Sequence, residues 1–126
     1  MAKKTKADLG KFFGKLYSFN VSLKVYHWHV TGPGSYAQHI ALDQAIESVT
    51  DVLDRIVETS YALKGDIKIV VPETSVPEDI IKYCKEFYEY IHESRKLFED
   101  INFQDSILDD YQEAIQQLLY RLIRLK

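Results

Sequence analysis

Five side chains able to hold a transition metal fall between Val25 and Asp66: His27, His39, Asp43, Asp54 and Glu58. His39 and Asp43 are four apart, as are Asp54 and Glu58, the interval that stacks two side chains on one helix face. His27 lies just before the Gly32-Pro33-Gly34 break that precedes the other four. Imidazole nitrogen with carboxylate oxygen is a mixed donor set that suits iron, zinc or manganese better than it suits metals that prefer thiolate. Three anionic oxygens would favour Fe(III) over Fe(II) and so promote oxidation. The same pattern also fits a solvated helix face carrying intrahelical His–Asp pairs, each worth a few tenths of a kcal/mol.

The elements that must position these residues are helices. Leu9, Phe12, Leu16, Phe19, Leu23, Tyr26 and Val30 recur at helical steps and predict a first helix over about 6–30. Phe13, Tyr17, Val21 and Trp28 form a second apolar stripe on it, which suggests cover from another copy of the chain. After the Gly-Pro-Gly stop, Ser35 and Gln38 have capping-box spacing, and a second helix is expected over 36–63 with Leu42, Ala45, Val49, Val52, Leu53 and Ile56 as its core side. Residues 66–76 read as an irregular connector. Ser75, Pro77 and Glu78 predict the start of a third helix carrying Ile80, Cys84, Phe87, Ile91 and Phe98. A turn at Asn102–Asp105 should precede a fourth, with Ile107, Tyr111, Ala114, Leu118, Leu122 and Leu125 inward. Two tight links and one longer link imply an all-α four-helix bundle, the longer connection lying between helices two and three.

On the second helix, Asp54 returns to within roughly 20° of Asp43, with His39 and Glu58 about 40° and 60° to either side. Eleven residues of helical rise separate Asp43 from Asp54 by about 16 Å, whereas a ligand lies about 2 Å from its ion. One helix therefore cannot complete the site. Two copies pairing these helices antiparallel, about a two-fold axis near Glu47 and Ser48, would bring His39 and Asp43 of one to Asp54 and Glu58 of the other.

At 126 residues the chain is expected to be a single domain, with residues 1–5 a flexible basic tail. Hydrophobic residues make up 46% and charged residues 28%, which argues against disorder. A net charge of -3 gives no overall drive towards nucleic acid or an anionic membrane. No run is apolar enough to span a bilayer, and the lone Cys84 suits a reducing compartment, so a cytoplasmic location is expected.

His27-Trp28, Gly32, His39, Asp43, Asp54 and Glu58 together resemble the signature of the Dps family of mini-ferritins, the DNA-binding proteins of starved cells. The resemblance implies a ferritin-like bundle with a ferroxidase centre between two subunits: His27, His39 and Asp43 from one chain, Asp54 and Glu58 from its mate. It further implies oxidation of Fe(II) by hydrogen peroxide or dioxygen, iron storage and protection from oxidative stress, in a homo-oligomer built on a two-fold dimer and extending to a dodecameric shell. The match is strong over residues 20–66. Beyond them, the connector is short for the extra helix that the family places there, and the fourth helix lacks the family's usual Trp.

A second reading, from a different class, is a non-catalytic helical assembly or DNA-binding protein that keeps the bundle and contacts phosphates through Lys3, Lys4 and Lys6. Glu89 and His92 form the Glu-x-x-His pair of larger di-iron bundles, but Glu89 falls opposite Ile80, Phe87 and Ile91, so a solvated face is expected. His29 projects away from His27 and reads as a surface residue. Trp28 could pack at a dimer interface or give an electron to a strong oxidant. Glu47 and Asp51 could guide cations towards the ligand face.

Overall fold

A computed structural model describes residues 6–98 and 102–125. The basic residues Lys3 and Lys4 lie outside that range. The helices are α1 (Lys6–His29), α2 (Ser35–Lys64), α3 (Ile80–Ser94), extended by a 3-10 turn over Arg95–Phe98, and α4 (Asn102–Arg124). The expected all-α four-helix bundle is observed, and no helix among the described residues is long and apolar enough to cross a membrane.

The inward faces are those that periodicity predicts. Leu9, Phe12, Leu16, Phe19 and Leu23 of α1 meet Leu42, Ala45, Val49, Val52, Leu53 and Ile56 of α2 in one buried core. Ile80, Cys84 and Ile91 of α3, Phe98, and Ile107, Tyr111, Leu118 and Leu122 of α4 complete it. Phe19 stacks on Phe87 with ring centroids 4.3 Å apart, and Phe12 meets Phe98 edge-on at 5.8 Å. Two residues depart from expectation. Phe13, assigned to the outer stripe of α1, is buried in the chain's own core, and Leu125, assigned to the core, is half exposed just past the end of α4.

Side-chain contacts fix the helix directions. Arg55 of α2 pairs with Asp110 of α4 at 3.1 Å, and Ser60 accepts a hydrogen bond from Gln104, so these two helices run antiparallel. Tyr83 donates to Ser22 while Tyr90 meets Phe12, so α3 runs antiparallel to α1. The order is thus up, down, down, up, and residues 65–79 must return the length of the bundle.

That return runs along α1 without helix. Val70 donates its backbone N–H to the Gly10 carbonyl at 3.2 Å, and the Ser18 and Thr74 hydroxyls lie 2.7 Å apart. Gly10 and Gly14 make room for it: a Cβ built at either would fall 2.0 Å from the Lys68 carbonyl oxygen or 1.7 Å from that of Val70.

The helix starts differ from the capping-box expectation. Gly34 precedes α2 at φ 82, with no side-chain cap, and Ser35 is already the first helical residue, where its hydroxyl cannot reach the N–H groups a cap serves. At α3 the cap is Asp79, which accepts the Lys82 N–H at 3.1 Å. Ser75 and Pro77 belong to the connector, which Thr74 ties to α1. The expected turn at Asn102–Asp105 is instead the opening of α4, and Arg95 bonds back to Asp105 and Gln112 from the 3-10 turn.

Candidate metal centre

The α1–α2 hairpin folds so that three of the five expected ligands meet at its closed end. His27 comes from the last turn of α1, while His39 and Asp43 come from the first turns of α2. Two positive-φ glycines, Gly32 and Gly34, turn the short link 30–34 between them. His27 Nε2 lies 2.7 Å from one Asp43 carboxylate oxygen and His39 Nε2 3.8 Å from the other. The two imidazoles stack with centroids 3.7 Å apart and planes 25° from parallel. One donor atom from each of the three residues lies within 4.8 Å of the others.

Hydrogen bonding decides which atoms are free to coordinate. His39 Nδ1 is 3.1 Å from the His27 main-chain carbonyl, which can only accept, so Nδ1 is the donor and Nε2 is the nitrogen whose lone pair the neutral ring offers to an ion. This is the outer-shell contact that commonly orients a ligating histidine. His27 is 5% exposed and neither of its ring nitrogens has a hydrogen-bond partner. Its short approach to Asp43 therefore lacks the in-line geometry of a hydrogen bond. A buried polar atom without a partner calls for an explanation, and an ion between imidazole and carboxylate supplies one. Asp43, 46% exposed, leaves the trio open to solvent on one side. Two imidazoles and one carboxylate with open positions fit a first-row divalent cation.

A family model described as a family of unknown function, DUF5856, matches residues 27–122, from His27 to Leu122. The chain belongs to the DUF5856 family. No curated protein and no solved structure matches it. The DUF5856 match takes in all five expected ligands together with α2, α3 and nearly all of α4.

Asp54 and Glu58 are not part of the trio in this DUF5856 chain. Both are exposed on α2, further along the helix from Asp43. Glu47 and Asp51 are exposed between the two halves. Trp28 is 69% exposed, with Lys24 Nζ 5.8 Å from its ring centroid, so within one chain it is neither packed nor buried. His29, Glu89 and His92 are exposed, as expected. The interior holds no buried carboxylate among the described residues, and its buried Tyr111 hydroxyl donates to Asn20. That argues against a di-iron site of the Glu-x-x-His kind inside the bundle.

Two features went unread in the sequence. The carbonyl that orients His39 belongs to His27 itself, and no side-chain pattern could signal it. The burial of His27 depends on how α1 and α2 cross, although its place between two apolar stripes hinted at a half-covered position.

Proposed function

We propose that the chain is a Dps-like ferroxidase, which binds Fe(II) as substrate between two copies and oxidises it with hydrogen peroxide or dioxygen. The observation that carries this reading is the trio itself, above all the buried His27 whose ring nitrogens have no partner beside Asp43 and His39. The exposed Asp54 and Glu58 would supply the other half from the neighbouring copy, and an antiparallel pairing of α2 with its mate is compatible with helix geometry. A carboxylate-rich set stabilises the ferric state over the ferrous one and lowers the barrier to electron loss.

With peroxide the balance is simple. Each of two ferrous ions gives one electron, the O–O bond breaks, and both oxygens leave as water after taking up two protons. Consuming peroxide in this way suppresses hydroxyl-radical formation, and the ferric product would be sequestered by the assembly. The histidines hold the incoming ion through Nε2, and the open side of Asp43 admits it.

Stoichiometric Fe(II) mixed with peroxide should give rapid ferric absorbance. His39→Ala or Asp54→Ala is expected to slow it at least about a hundredfold, by the size of effect seen when an oriented metal ligand is disturbed. Rates in those variants equal to the parent would rule the reading out.

A further inference from the structure

The face of α2 that carries the ligands has a charge distribution with a consequence for assembly. Asp43, Glu47, Asp51, Asp54 and Glu58 are all exposed along it. The basic residue of this stretch, Arg55, is turned towards α4 and paired with Asp110. On the adjoining surface of α1, Lys24 is held over its own chain's Trp28. The ends of the face are aromatic, with Tyr36 76% and Tyr61 38% exposed.

One antiparallel register matches several residues of this face across two copies. An antiparallel pairing that brings His39 to Glu58 and Asp43 to Asp54 also brings Tyr36 to Tyr61, because each pair is centred on the same point of the helix. Aromatic contact at the ends thus favours association, while the carboxylates of both copies crowd the middle. At physiological salt the screening length is about 8 Å, longer than the separation of side chains across a packed helix pair, so their repulsion is not screened away. The acidic stretch does not stand alone. His27, buried and with no hydrogen-bond partner at either ring nitrogen, points to a cation at each end of that repulsive strip.

We propose that a divalent cation gates the pairing of two copies of this chain through α2. This rests on the inter-subunit reading of the site given above. Without the cation, the carboxylates hold the two faces apart. With it, His27, His39 and Asp43 of one copy and Asp54 and Glu58 of the other close on the ion, and the Tyr36 to Tyr61 contacts form. Substrate iron would then assemble the centre that oxidises it.

Sedimentation equilibrium of the full chain, first with chelator and then with redox-inert Zn2+, tests this, with bound Zn2+ counted directly. The pairing constant should tighten at least about tenfold on Zn2+ addition, a typical size for coupling between two binding events. Glu47→Gln combined with Asp51→Asn, exposed positions outside the ligand set, should pair more tightly than the parent under chelator. If Zn2+ binds but the parent pairs equally well without it, the gate is overturned and the ferroxidase reading survives. An unchanged pairing constant in the double variant under chelator likewise overturns the electrostatic gate. If no Zn2+ binds, the site and the gate fall together.

Discussion

His27 sets the relation between stability and function at the level of a single residue. A buried imidazole whose ring nitrogens have no hydrogen-bond partner, although Nε2 lies 2.7 Å from the half-exposed Asp43 carboxylate, is a desolvated polar group, which costs folding free energy unless something fills the gap. His27→Phe should therefore leave the metal-free protein as stable as the parent, or raise its unfolding free energy by up to about 1 kcal/mol, while abolishing Zn2+ binding. Urea denaturation under chelator measures the first and direct titration the second. A loss of more than about 2 kcal/mol would mean that the ring nitrogens are satisfied in solution. Much of this site was legible beforehand, because His39 and Asp43 one turn apart and His27 before the Gly-Pro-Gly break are features of spacing. What was not legible is orientation, since the tautomer of His39 is set by a main-chain carbonyl across the hairpin.

Among the elements, the connector and α1 depend on each other through backbone contact. In an ordinary helix interior, replacing Gly by Ala stabilises by roughly 0.5–1 kcal/mol. At Gly14 the sign should reverse, because the new Cβ would lie 1.7 Å from the Val70 carbonyl oxygen, a backbone atom that cannot rotate away. Gly14→Ala is expected to destabilise by about 2 kcal/mol or more, as overpacked sites do. A melting temperature equal to or above that of the parent would contradict the close approach. Gly10 and Gly14, one turn apart, carried this signal in the sequence as a pair of small residues. The helix starts were misread for a related reason. Ser35 and Ser75 have the right spacing for a capping box, but Gly34 and Asp79 occupy the positions where the backbone turns.

For the molecule as a whole, most of the core followed from periodicity, since the apolar residues of all four helices repeat at helical steps; Phe13, read as facing another copy, is an exception. The up-down-down-up order needed contacts between helices, such as Arg55 with Asp110 and Tyr83 with Ser22, which no repeat announces. The core also predicts how the bundle fails at high pH. Burial pushes the Cys84 thiol from 9.0 up to about 12. Burial raises Tyr83, Tyr90 and Tyr111 as well, Tyr111 well above 10.0. Unfolded chains would lose these protons at pH values where the native bundle still holds them. The stabilisation is thus fully present below pH 9 and lost as pH rises towards 12. Chemical denaturation midpoints should fall steadily over that interval. Cys84→Ala should flatten the lower part of the fall, and midpoints that stay level from pH 9 to 11 would be inconsistent with protonated groups in the core.

The short link 30–34 bears on how the chain reaches its native state. His27, His39 and Asp43 sit on the two arms of one helical hairpin, so bringing them together closes a loop of few residues and loses little chain entropy. The contacts between α1 and residues 67–74, and between Tyr111 and α1, close much longer loops. Topology of this kind favours early formation of the local hairpin over the distant crossover. The trio can therefore be in place while the remainder of the bundle is still being assembled around it.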